Sequence, residues 1–189
     1  MEVVHVTVFR QLLDRVSADV KRHCQAKGYV EGGWLNPLVP HDSVAAWAMA
    51  GLLTSQHQFD HYVAVAPEGH VYGYFFEKRG ATILSVFVDY PPRRFEALDD
   101  LSQIRAGRVL ILEDDVVSGI SLKFVTDALE RYSPRSLALY LGREKDYQQL
   151  QNVPPQIETV FLAEDCLDPA TRGQQEAEFA RFFGAGGDA

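Results

Sequence analysis

Residues 109–121 read VLILEDDVVSGIS, and the reading of this stretch decides the fold. Val109, Leu110, Ile111 and Leu112 present no polar face, the pattern of a strand covered on both sides, as in a parallel sheet packed between helices. The run ends in Glu113, Asp114 and Asp115, acids placed where such strands open into ligand crevices. Ser118, Gly119 and Ser121 follow, just before Leu122, Val125, Ala128, Leu129 and Tyr132 recur at helical spacing. A glycine-containing turn at a helix start, flanked by two hydroxyls, offers several hydrogen-bond donors, and the helix dipole favours an anion there. That arrangement suits a phosphate and leaves the carboxylates for hydroxyl groups or a metal.

Working outward, the same alternation of strand and helix continues on both sides. Upstream, HYVAVA at 61–66 is a central strand, residues 71–79 a helix closed by Gly80, and TILSVFV at 82–88 a second strand rich in β-branched and aromatic residues. Downstream, Pro134 precedes a strand at 137–141, residues 157–163 form a last strand, and a helix over 171–183 closes the chain. This is an α/β pattern: a doubly wound, mainly parallel sheet with helices on both faces. Before it, residues 3–8 alternate enough for a short strand, and Phe9, Leu12, Leu13, Val16 and Val20 mark a helix running to about Lys27. Gly28, Gly32, Gly33, Pro37 and Pro40 make 28–42 a loop, in which Tyr29, Trp34 and His41 either face a planar ligand or pack on the core. Ser43 is the expected cap of a second helix. Between Asp89 and Arg108, Phe95, Leu98, Leu101 and Ile104 at spacing three predict a short packed helix.

Composition bounds the function. The 189 residues, 47% hydrophobic and 23% charged, suit one well-cored domain spanning 1–189. A formal net charge of −8 argues against a nucleic-acid or anionic-membrane partner, whereas a small anionic ligand needs only local donors. Cys24 and Cys166 make neither a metal set nor a disulfide framework, which fits a reducing compartment. No basic segment with an apolar run opens the chain, and no stretch reaches the ~18 apolar residues of a membrane span, so a cytoplasmic location is expected. His57 and His61 are four apart at a helix–strand junction and need not share a face, and no other metal, Walker or nucleophile-elbow motif stands out.

The central stretch resembles the signature of the type I phosphoribosyltransferases, enzymes that use phosphoribosyl pyrophosphate. That signature is four apolar residues, two acids, three mostly apolar residues, then Ser or Thr, Gly, a variable residue and Ser or Thr. Here Glu113 and Asp114 match the acidic pair, Asp115, Val116 and Val117 the spacer, and Ser118, Gly119, Ile120 and Ser121 the phosphate loop. The resemblance implies that the acids bind the ribose 2- and 3-hydroxyls while the loop holds the 5-phosphate. Asp115 in the spacer and Ile120 are mild departures.

By the same resemblance, Ala66, Pro67, Glu68, Gly69 and His70 occupy the place of a short pyrophosphate-binding loop after the first central strand. The family commonly carries Arg or Lys before the Gly, where this chain has Glu68; a carboxylate there repels pyrophosphate unless Mg²⁺ lies between them. His70 either replaces the missing donor or packs the next helix. Arg93 and Arg94 lie where the family carries a mobile loop that closes over the site, and are either pyrophosphate contacts or solvated surface. A small hood, drawn from 1–42 and 142–170, would select a nucleobase-like acceptor. Val117 stands where relatives acting on hypoxanthine and guanine carry an acid, which counts against that chemistry. The resemblance thus implies Mg²⁺ bound with the pyrophosphate substrate, no assigned side-chain metal ligand, and a possible homodimer. The expected activity is transfer of ribose 5-phosphate to a nitrogen nucleophile with release of pyrophosphate. The rival expectation is a non-catalytic or regulatory protein that binds a ribose phosphate or nucleotide through the same pocket.

Overall fold

A computed structural model of the chain describes residues 2–29, 39–56, 59–89, 94–143, 147–166 and 168–185. Its centre is a six-stranded sheet: β1 (His61–Ala66), β2 (Ile83–Asp89), β3 (Arg94–Ala97), β4 (Arg108–Glu113), β5 (Ser136–Leu141) and β6 (Ile157–Leu162). The strand order is β3-β2-β1-β4-β5-β6, with every neighbouring pair parallel except the hairpin of β2 with β3. Among the described residues five α-helices accompany it: α1 (Glu2–Ala26), α2 (Ser43–Ser55), α3 (Glu68–Lys78), α4 (Ile120–Glu130) and α5 (Arg172–Gly184). The expected doubly wound α/β architecture is therefore present.

The continuous apolar runs are explained by burial on two faces. Tyr62, Ala64, Leu110, Leu112 and Tyr140 point into a core shared with α1, α2, α3 and α5, where Trp47, Phe75, Phe76 and Phe179 are fully buried. Their alternates Val63, Val65, Val109, Ile111, Leu139 and Leu141 point the other way, into a core shared with α4 and a 3-10 turn at Leu101–Ile104. Burying each such side chain contributes about 1.5–3 kcal/mol, so the centre of the sheet is rigidly held.

Three local expectations are corrected. Residues 3–8 open α1 and form no strand. Their β-branched content suits either state, and a helix satisfies its own backbone groups without a sheet partner, continuing the 3.6-residue pattern of Leu12, Val16 and Val20. Phe95 belongs to β3, where it pairs with Val88, and the predicted helix shrinks to the turn that buries Leu101 and Ile104. The edge of β2 offers unpaired backbone groups, and a hairpin satisfies them. Finally, the α2 cap is Asp42, whose carboxylate accepts from Ala45 N at 2.9 Å; Ser43 is the first helical residue. Arg172 Nη1 donates to the same Asp42 at 3.0 Å and ties α5 to α2.

Of the segments expected to furnish a hood, α1 lies in the helical layer, and residues 30–38, including Trp34, fall outside the described residues, as do His57 and Arg93. A 3-10 segment at Tyr147–Asn152 sits against the loop before α4.

One close approach fixes the functional end of the sheet. A Cβ on Gly69, in the first turn of α3, would lie 2.3 Å from the Leu112 carbonyl oxygen at the end of β4. Gly69→Ala must push α3 off β4, an overpacking that costs about 1–3 kcal/mol, while the helix-propensity gain of Ala over Gly is at most ~1 kcal/mol. The variant is expected to melt at a lower temperature than the parent. Gly173→Ala, in the first turn of α5 with open space around the added methyl, should melt at the parent temperature or above. Equal melting of Gly69→Ala and the parent would show that α3 does not press on β4.

Candidate functional site

From β1 the chain moves to β2 on one side, then returns to place β4 on the other side of β1. The carboxyl ends of β1 and β4 therefore flank a topological switch point, where a crevice opens between diverging connections. Ala66 and Pro67 leave β1, and the acids leave β4, so the two stretches singled out in the sequence meet at this crevice.

The acidic turn is held by its own backbone. Glu113 Oε1 accepts from Asp114 N at 3.0 Å, and Asp114 Oδ1 accepts from Asp115 N at 2.6 Å. The chain after β5 carries the pairing past the strand ends, with Gly142 N donating to Glu113 O at 3.0 Å and Arg143 N to Asp114 O at 2.9 Å. Asp114 is 7% exposed, and Arg143 Nε stands 3.8 Å from its Oδ2. Burial, then the charge of Asp114, pushes the Glu113 carboxyl well above the usual range, and burial followed by Asp115 raises that of Asp114. Glu68, brought in by the approach of α3 to β4, is raised by burial and by both Asp114 and Asp115, with Arg143 acting against the rise.

The phosphate-loop residues are distributed as a helix entrance requires. Gly119 adopts φ 69° immediately before α4, a left-handed conformation that costs glycine little. Ile120 and Ser121 form the first turn, so the uncapped N–H groups of an 11-residue helix begin at this point. Ser118 is exposed, with its Oγ 3.5 Å from Ile120 N, while Ser121 is partly buried. Val116 is buried in the sheet core, and Val117 and Ile120 are exposed. Asn152 holds this loop from outside: its Nδ2 donates to Val117 O at 2.8 Å, and its carbonyl oxygen would lie 2.0 Å from a Cβ on Gly119.

Other expected site residues lie elsewhere. The five-residue loop expected after β1 contracts to Pro67, because Ala66 ends β1 and α3 begins at Glu68. His70 is wholly buried in that helix and stacks on Tyr29 with ring centroids 5.3 Å apart; burial lowers its pKa to about 4. It packs α3 and does not extend the loop as a donor. Arg94 begins the edge strand β3 and is exposed, with β2 and β1 between its strand and β4. Tyr72 was not singled out by any motif. Its ring fills the space left by Gly142, whose added Cβ would fall 2.1 Å from it, and its hydroxyl is pushed up to about 12 by burial and then by Asp114. Among the described residues no group of three His, Cys, Asp or Glu is arranged to hold a metal.

No family model matches the sequence, and no curated protein matches it. Among solved structures the chain is similar to a purine phosphoribosyltransferase from Pyrococcus horikoshii, at 15% identity and TM-score 0.48 over 62% of this chain and 78% of that one. It is similar to a hypoxanthine-guanine phosphoribosyltransferase from Bacillus anthracis, at 18% identity and TM-score 0.44 over 66% and 80% of the two chains. It is also similar to a hypothetical protein from Neisseria gonorrhoeae with bound ppGpp, at 13% identity and TM-score 0.47 over 77% and 94%. At such identities and TM-scores the likeness carries no inference about activity.

The raised carboxyls have a consequence for stability. An acid whose folded pKa exceeds its unfolded value, about 4, contributes stability that is complete below that value and lost as pH rises through the folded one. Glu68, Glu113 and Asp114 all shift in that direction, so the melting temperature should fall as pH rises from about 4 toward 7. Glu113→Gln with Asp114→Asn should flatten this slope and melt above the parent at neutral pH. Calorimetry across that range decides the matter, and parallel pH slopes in the two proteins would show that the acids are not mutually destabilised.

Proposed function

We propose that this chain transfers the ribose 5-phosphate group of phosphoribosyl pyrophosphate to a nucleobase or related nitrogen nucleophile. The observation that carries the reading is the coincidence at one switch point of an acidic pair, partly buried Glu113 and buried Asp114, with a left-handed glycine opening α4 between Ser118 and Ser121. The acids accept hydrogen bonds from the ribose hydroxyls. The loop N–H groups and the two hydroxyls hold the 5-phosphate. Asp115, Val116, Val117 and Ile120 set the spacing between these two contacts, and Ala66 and Pro67 bound the far wall. Displacement of pyrophosphate from the ribose C1 passes through a cation-like sugar, so catalysis comes from placing the nucleophile and stabilising the departing anion. Mg²⁺, if bound with the pyrophosphate substrate, would supply countercharge to the leaving group, and no side chain is assigned to it. A hard cation suits a pocket in which carboxylates repel one another.

A second reading, a protein that binds a ribose phosphate without transferase chemistry, is favoured by one observation: Glu68 faces Asp114 and Asp115 at the mouth of the crevice. A carboxylate beside pyrophosphate costs roughly 4 kcal/mol per unit pair at 4 Å and an effective dielectric of about 20. Titration calorimetry of phosphoribosyl pyrophosphate and of ribose 5-phosphate, with and without Mg²⁺, followed by a pyrophosphate-release screen across nucleobases, separates the two. The enzyme reading expects tight binding of the pyrophosphate form with Mg²⁺ and release in the presence of one base. Tight binding of the monophosphate alone would overturn it, and Glu68→Arg would then reverse that preference.

Ser118→Ala with Ser121→Ala removes two donors, each contributing ~1.5–3 kcal/mol to a charged acceptor. Affinity for ribose 5-phosphate should fall by tens of fold or more, with the melting temperature nearly unchanged. Undiminished binding by the double variant would show that the 5-phosphate lies elsewhere.

A further inference from the structure

Within the acidic centre one cation stands out by its placement. Arg143 follows the end of β5, its N–H bonds the Asp114 carbonyl at 2.9 Å, and its Nε stands 3.8 Å from Asp114 Oδ2. The backbone bond, together with the β4–β5 register that pairs Glu113 with Leu141, places the Arg143 main chain beside the acidic turn. On its other flank lies Tyr72 of α3, whose ring occupies the room that Gly142 leaves open and whose buried hydroxyl is under the influence of both Asp114 and Arg143.

We propose that Arg143 is a positioning residue of this site: its guanidinium, backed by Tyr72, braces the Asp114 carboxylate against its neighbouring acids so that it faces the crevice as an acceptor for a ribose hydroxyl. The inference rests on the ribose-phosphate reading and adds to it a residue that no motif marks. The groups facing Asp114 are Glu113 on β4, Asp115 in the turn, Glu68 and Tyr72 on α3, and Arg143 after β5. Burial and the charge of Asp115 disfavour its ionised form. Arg143 opposes them.

The test uses Arg143→Gln, with Arg143→Lys as the variant that keeps the charge, and reads two quantities in the full chain. The first is the titration midpoint of the Asp114 carboxyl in the ligand-free protein, followed by carbon-13 NMR with Asp114→Asn for assignment. The second is the ratio of affinities for ribose 5-phosphate and 2-deoxyribose 5-phosphate as a function of pH, in which titration of the phosphate cancels. Arg143→Gln should raise the midpoint by about one pH unit and move the pH at which the ribose preference sets in upward by the same amount. Inorganic phosphate should bind as in the parent, and Arg143→Lys should recover most of the ribose preference. An unmoved midpoint overturns the role of Arg143 and leaves the ribose reading standing. A parent protein with no preference between the two sugars overturns the ribose reading, and this inference with it. Equal loss of all three ligands in Arg143→Gln would show a merely structural residue and also overturn it.

Discussion

Burial of carboxylates at one end of a parallel sheet, with their mutual repulsion added to it, is the constraint on which this molecule turns. Glu113 and Asp114 are delivered by β4, Asp115 by the turn, and Glu68 by a helix that can approach only because position 69 has no side chain. Glu68, Glu113 and Asp114 are each raised toward their neutral forms, by burial first and by neighbouring acids second. The energy that holds them there comes from the layers beneath. Leu110, Ile111 and Leu112 are wholly buried, and a strand locked on both faces cannot withdraw its carboxyl end from the crevice. The apolar core thus tolerates a local electrostatic cost that an exposed loop would relax away.

That division explains what could be read in the sequence. Strands such as HYVAVA and VLIL announce themselves because burial on two faces removes every polar residue, and the acids and small residues that follow stand out by contrast. The beginning of α1 was misread because Val-rich alternation serves either a strand or a helix, and only a free sheet edge would have selected the strand. Phe95 was assigned to a helix because spacing of three is blind to a hairpin that the edge of β2 makes favourable. His70 was open between two roles, and only the packing of α1 against α3, with Tyr29 over the ring, settles its place.

The parts of the site that were not legible share one cause. Asn152 reaches Val117 across 35 residues of sequence, Arg143 meets Asp114 across a strand pair, and Tyr72 meets Gly142 across a helix–sheet contact. No local pattern encodes such meetings. Gly142 and Gly69 read in the sequence as ordinary breaks, whereas in the fold each is the absence of a Cβ that lets another group pass: a tyrosine ring in one case, a strand carbonyl in the other. A signal existed only in the coincidence of glycine with a strand end or a helix start, and that is too common to single out a residue.

The charge arrangement also constrains what kind of ligand the crevice favours. An anion alone would gain from the N–H groups opening α4 but would also feel the carboxylates that end β4, so part of its attraction would be cancelled. A ligand whose hydroxyls reach the acids turns the same carboxylates from a repulsive surface into acceptors, and shields them from one another through its O–H dipoles. A bound cation would shift the balance further in the same direction. On the proposed reading, a ligand that carries both a phosphate and vicinal hydroxyls would meet donors at one end and acceptors at the other. In such a centre the Arg143 guanidinium beside Asp114 works against burial and favours that acid's ionised form.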